Sequence, residues 1–342
     1  MSLRFRRSMK LMPGVRLNFG KDSVGMSFGV PGARYTVNSK GRRTVSMGIP
    51  GTGISDVTTL SSGRSSRRAQ VEEVPQIGDS EPRPGLFASG AERALHVFLR
   101  DIYGADDTVN SAMEVVEAAG ALKAQHPKLA AAMDLISVLH GIRDTDTSDA
   151  ASALAMKLWQ ERDIVFNDRL VRKYFLGIYP GVQITAGIFS VGSYTSQTLG
   201  FIVSELLQKE GKYPEAIEVL NQMRPDQLVG ISLADIEITS GDFDGAIETT
   251  EDIENEDDAT AMMLVLRGIA FREKGLNDAA LECFKRAIAK KSRSEGVIHR
   301  GLFERAMTYK KLGKKAAAKK DLERILVDDP LAAGVNEALK GL

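Results

Sequence analysis

Few residues in this 342-residue chain have the type and spacing to do chemistry. His96, His126, His140 and His299 could ligate a metal, Cys283 could be a nucleophile, and the glycine-rich Gly48–Ser55 (GIPGTGIS) could cradle a phosphate. Spacing argues against each. Imidazoles that share a metal on one helix recur as HxxxH, and these four are scattered. A phosphate loop needs GxxxxGK[ST] opening a helix, yet no lysine follows Gly53 and the segment closes a run of strands. Cys283 sits beside Phe284 in an amphipathic run, the setting of a packed thiol. With no nucleophile–base pair, ligand cluster or cofactor loop, the chain reads as non-enzymatic and free of cofactors.

Charge is the next signal. The sum is zero, but residues 1–70 hold thirteen Arg and Lys against Asp22 and Asp56, a net of +11, so the remainder carries −11. That asymmetry suits an anionic partner for the front end, or contact between the halves. A single cysteine allows no intrachain disulfide and fits a reducing, cytoplasmic compartment. Arg6-Arg7 hints at an export signal, but Pro13, Gly14, Arg16 and Asn18 deny it an apolar segment. Tyr174–Ser204 carries no charge and is long enough to span a bilayer. Its Pro180, Gln183, Gln197 and five glycines point instead to a buried strand pair leading into a helix, so no membrane span is expected.

The elements that would position any site fall into four segments. Residues 1–59 alternate strictly between apolar and polar: Leu3, Phe5, Met9 and Leu11, then Val15, Leu17 and Phe19, then Val24, Met26, Phe28 and Val30, and onward to Ile49. Successive strand side chains face opposite ways, so this predicts a small antiparallel β domain with one apolar and one cationic face. The cationic face would display Arg4, Arg6, Lys10, Arg16, Arg34, Arg42 and Arg43. Pro13-Gly14, Pro31-Gly32 and Pro50-Gly51 mark chain reversals. The segments FRRS (Phe5–Ser8), PGVRLN (Pro13–Asn18) and GIPGTGIS resemble a bacterial N-terminal domain of unknown function. The resemblance covers nearly all of residues 2–57 and implies a bacterial or phage origin and a β domain, with no activity attached.

Residues 60–85 have linker composition, rich in Ser, Arg, Pro and Gly. Residues 86–197 read as a helical region with a β-hairpin near 174–191. Ser89, Pro127 and Ser148 open candidate helices, and Trp159 falls on a core stripe.

The last segment, 198–342, is periodic. Gly211, Gly241, Gly275 and Gly313 stand 30, 34 and 38 residues apart, each followed five residues later by an alanine: Ala216, Ala246, Ala280 and Ala318. Seven residues before each glycine is a small residue (Ser204, Ala234, Gly268, Ala306), and four after each alanine come Leu220, Thr250, Phe284 and Leu322. That spacing predicts stacked helical hairpins, each ended at its first helix by a left-handed glycine. The pattern resembles the tetratricopeptide repeat over residues 198–331, clearest in GIAFREKGLNDAALECFKRAI and weakest in the second copy, where Glu237 and Thr250 replace large apolar residues. The fold class is therefore mainly α: a tetratricopeptide-like solenoid preceded by a helical region and a small β domain.

In that family the first helices of the hairpins line a groove that holds a partner protein. Carried over, the resemblance implies that Glu205, Gln208, Lys209, Asp235, Arg272, Lys310 and Lys311 would face a partner. The leading expectation is a cytoplasmic scaffold that binds protein through this groove while the basic domain docks or self-associates, with head-to-tail homo-oligomers as a further form. The alternative is a protein that holds nucleic acid or anionic lipid head groups on residues 1–70, its repeats serving oligomerisation or regulation.

Overall fold

The computed structural model describes residues 82–103, 111–142, 146–330 and 332–342 in full, and the backbone of six strands between Arg7 and Ser61. Those strands are β1 (Arg7–Met12), β2 (Val15–Phe19), β3 (Val24–Val30), β4 (Ala33–Asn38), β5 (Arg43–Gly48) and β6 (Ser55–Ser61). They pair in sequence order as an antiparallel meander. The register sets Leu17 opposite Met26 and Met26 opposite Val37, while Arg16 pairs with Ser27 and Ser27 with Thr36. From β2 to β4 apolar positions thus fall opposite apolar ones, as period-two alternation requires, whereas β5 and β6 set Met47 opposite Asp56 and Ser46 opposite Val57. The three Pro-Gly pairs and most of the expected linker lie outside the described residues.

The helical part begins with α1 (Gly90–Tyr103), α2 (Ala112–Gln125), α3 (Ala130–Gly141), α4 (Ser148–Gln160), α5 (Arg162–Asn167) and α6 (Arg169–Tyr174). Local chemistry sets their starts. The Ser89 hydroxyl accepts from the Glu92 amide, Ser111 and Glu114 form a reciprocal capping box, and Pro127 opens the 3-10 turn before α3. The uncharged stretch then forms β7 (Gly181–Thr185) and β8 (Ile188–Val191), an antiparallel pair, and leads into α7 (Ser196–Lys209). Among the described residues no helix is long and apolar enough to cross a membrane.

Four hairpins follow: α7 with α8 (Tyr213–Asn221), α9 (Gln227–Ser240) with α10 (Phe243–Thr249), α11 (Asp258–Glu273) with α12 (Asn277–Ala287), and α13 (Glu295–Lys311) with α14 (Lys315–Asp328). A short α15 (Val335–Lys340) packs on α14. All four periodic glycines adopt positive φ, between 71° and 88°. Each also begins a bond pattern that closes the first helix, as when the Lys212 amide reaches the Leu207 carbonyl at 2.9 Å. In the third hairpin the small residue and the large one meet as the spacing implied: a Cβ on Gly268 would lie 2.5 Å from the Phe284 ring.

The second hairpin carries the distortion its composition suggested. α10 has seven residues, and Thr250 is fully buried with its hydroxyl donating back to the Ala246 carbonyl at 2.6 Å. Two residues later Asp252 adopts φ 55°. A threonine that bonds its own turn cannot fill the gap a leucine or phenylalanine fills in the other copies.

Packing does not stop at residue 198. One apolar core runs from Leu95 in α1 to Val297 in α13, through Trp159, Phe175, Tyr194 and Leu199. A second, smaller core closes the C-terminal end around Leu302, Leu322 and Val335.

Inside the first core, Glu92 is buried at 3% exposure and accepts from Lys173 Nζ at 2.6 Å and Arg169 Nη2 at 2.9 Å. The Lys173 hydrogen bond, then that of Arg169, holds the Glu92 carboxyl below its ordinary value of 4.5 despite burial. A depressed folded-state value means the contribution to stability is complete above about pH 4.5 and drains away as pH falls through the folded value. Glu92→Gln is expected to cost on the order of 1–3 kcal/mol at neutral pH. It should also flatten the acid limb of the stability profile, as urea unfolding at stepped pH would show.

Candidate functional site

The candidate site is the face formed by the first helices of the hairpins, α7, α9, α11 and α13. α11 packs directly against α9 and α13, whereas α7 reaches α9 through α8 on one side and β7 on the other. The β7–β8 hairpin lies on this face. β7 contacts α7 and α9, and β8 contacts α11. At the tip, Gly187 (φ 97°) is pressed against α11 and α13: a Cβ there would stand 2.9 Å from both Met262 Cε and the Gly296 carbonyl oxygen.

The hairpin is shaped for that seat. Val182, Ile184, Thr185 and Ile188 are buried while Gln183 is exposed. Phe189 folds back over Gly181, where a Cβ would meet the ring at 2.5 Å. The base is pinned by the Tyr194 amide donating to the Ile178 carbonyl at 2.8 Å, and by the buried Tyr194 ring against Phe175 and Phe166. Burial drives the Tyr194 hydroxyl far above the usual phenol range, so it serves only as a neutral donor.

Beside β7 is a polar cavity of about 310 Å3 lined by Gln183–Ala186, Glu205, Gln208, Lys209 and Asp235. Four of the seven groove residues expected from the sequence therefore do converge. Glu205 and Lys209 form an exposed ion pair at 3.2 Å. Asp235 is half-buried, and burial pushes its carboxyl up, with the Thr185 hydroxyl and the Arg300 guanidinium opposing. Thr185 Oγ1 is itself buried and faces that carboxyl.

The other three expected residues are placed elsewhere. Arg272 is only 14% exposed at its side chain and is held by Glu304 Oε2 at 2.6 Å and Glu273 Oε1 at 2.8 Å. Lys310 and Lys311 are exposed at the end of α13, where Lys311 Nζ donates to the Arg272 carbonyl at 3.2 Å. The face thus divides into a polar cavity at α7 and α9, an ion-pair knot at α11 and α13, and two lysines beyond it. Sequence reasoning missed Thr185, Gly187, Arg300 and Glu304. The i to i+4 spacing of Arg300 and Glu304 was the one local signal available.

Cys283 is buried and burial pushes its thiol up, the setting of a packed structural thiol. His140 Nε2 lies 3.2 Å from the Tyr103 hydroxyl, and His299 Nε2 lies 3.3 Å from Asp328. Among the described residues no group of three His, Cys, Asp or Glu is placed to hold a metal. The side chains of Arg4, Arg6, Lys10, Arg16, Arg34, Arg42 and Arg43 lie outside those described.

The comparison with known families agrees with the two ends of this arrangement. Residues 299–326 match the tetratricopeptide repeat. Residues 3–57 match a family described as a protein of unknown function, DUF4236. No curated protein matches the chain significantly. Among solved structures, the N-terminal domain of the EccA1 ATPase from the ESX-1 secretion system of Mycobacterium tuberculosis is similar in fold, with TM-score 0.53 and 15% identity. The match covers 67% of this chain and 83% of that one. The Cut9-Hcn1 hetero-tetramer of the APC/C matches with TM-score 0.36 and 14% identity, over 73% of this chain and 53% of that one. The family match and the fold likeness to the EccA1 domain together give the helical hairpins a tetratricopeptide-like fold.

Proposed function

We propose that this chain is a non-catalytic protein-binding scaffold of a bacterial or phage cytoplasm, and that its partner is held on the face of α7, α9, α11 and α13. The supporting observation is the convergence of Gln183–Ala186, Glu205, Gln208, Lys209 and Asp235 around one open polar cavity on that face. Binding clefts combine a rigid wall with a few convergent polar groups, and here α7 and α9 supply the wall. The repeats stack without a catalytic constellation, which suits a surface that recognises rather than transforms. The basic domain then docks the scaffold or joins two copies.

Capture by the full chain, immobilised and challenged with proteins of its source, tests the reading. One partner should be retained by the natural sequence and reduced at least tenfold by the pair Gln208→Ala and Asp235→Asn, with Lys310→Glu tested separately for the far lysines. Retention unchanged by all three substitutions would remove this face from the function.

A further inference from the structure

The β7–β8 hairpin occupies the same face that the proposed function assigns to a partner, and its main contacts with the repeats are to the first helices α7, α9 and α11. We propose that it is a self-ligand of the face, hinged at its base, and that a partner displaces it by supplying an extended, uncharged segment with aliphatic side chains at alternate positions. The inference rests on the protein-binding reading above and adds to it the chemistry of the bound segment, with Glu205, Gln208, Lys209 and Asp235 left to meet the partner once Gln183–Ala186 move out of the cavity.

Three observations carry it. The hairpin shows what the floor accepts: no charged residue between Tyr174 and Ser204, with Val182, Ile184 and Ile188 buried against the helices. A surface that seats such a strand also fits an intermolecular one of like pattern. Its attachment is uneven. The base is fixed by the Tyr194-to-Ile178 bond, while among the described residues no backbone hydrogen bond ties residues 181–191 to α9, α11 or α13. The one polar group that reaches the floor is the Thr185 hydroxyl, which faces the Asp235 carboxyl on α9. Finally, strands of five and four residues do not hold together in water by themselves, so the order of the hairpin depends on its seat. Such a flap opens locally, without unfolding the helices beneath it.

Amide hydrogen exchange on the full chain tests the hinge without any partner. The ladder amides of residues 181–191 are expected to exchange at least tenfold faster than those of α9 and α11, and Gly187→Val should accelerate them tenfold again by unseating the tip from Met262 and Gly296. Exchange of the hairpin at the rate of α11 in the natural sequence would mean a permanent wall and overturn the proposal, leaving the protein-binding reading intact. A fluorescent peptide of residues 179–193 then probes the floor. It should bind the Gly187→Val chain saturably and at least tenfold tighter than the natural chain, and a peptide carrying Ile184→Asp and Ile188→Asp should not. If Gly187→Val lowers the helical signal, Ile188→Asp in the full chain replaces it. Equal binding to closed and opened chains would overturn recognition by the floor.

Discussion

Replacing Phe284 by alanine is expected to destabilise the repeat array by about 3–5 kcal/mol, the range for an aromatic removed from a packed core. Phe284 is fully buried on α12, and its ring fills the space that Gly268 leaves open on α11. Neighbouring helices cannot collapse into the hole, because α11 is also braced by α9 and α13. Urea unfolding followed by the helical signal measures the loss. The partner residue gives a second test of the same contact. Gly268→Ala places a Cβ 2.5 Å from the ring and should cost about 1–3 kcal/mol as overpacking, much of it recovered in the double variant Gly268→Ala, Phe284→Leu. A Phe284→Ala chain as stable as the natural one would mean that α11 and α12 do not depend on this interlock.

Glu304→Ala should be comparably severe, at about 3–5 kcal/mol, for a different reason. Glu304 is 7% exposed and serves two guanidiniums, Arg272 Nη1 at 2.6 Å and Arg300 Nε at 2.7 Å. The second contact is an ion pair only, since Arg300 Nε makes no hydrogen bond with good geometry. Removing the carboxylate leaves Arg272, mostly buried, without its main counter-charge, and isolated buried charge is costly. The pair itself is not thereby a strong net stabiliser. Glu304→Met combined with Arg272→Met should recover most of the loss, because an apolar pair of similar volume needs no desolvation of charge. Failure of the double variant to recover would show that the guanidinium holds α11 to α13 in a way packing cannot replace. In the folded chain Arg272 thus ties α11 to α13.

How much of this was legible beforehand differs from one residue to the next. Gly275 and its three counterparts announced the first-helix ends, because only glycine accepts a left-handed cap without strain, so its spacing reports helix ends directly. Gly268 and Phe284 were legible as a pair for a similar reason: a helical hairpin of fixed period brings the same positions together in each copy. The weak second copy was visible in Thr250, whose hydroxyl prefers its own turn to its neighbour's core. Arg272 was legible only in part. Its place on the face followed from the period, but its counter-charge on α13, 32 residues away, could not be seen from either local segment. Nor could the seat of the hairpin. The uncharged run predicted buried strands, yet it does not say which surface they cover.

The sequence by itself determined the repeat register, the helix ends, the small-against-large packing and the alternation of the N-terminal strands, since each of these depends on contacts within a few turns of chain or on a strict period. Only the tertiary structure decided that α1 to α6 share one core with the repeats, that Arg272 is tied to Glu304, and that a hairpin lies across the face of α7, α9, α11 and α13. Those outcomes turn on which distant surfaces bury the most apolar area and satisfy the most charge together, and that competition is settled in three dimensions rather than along the chain.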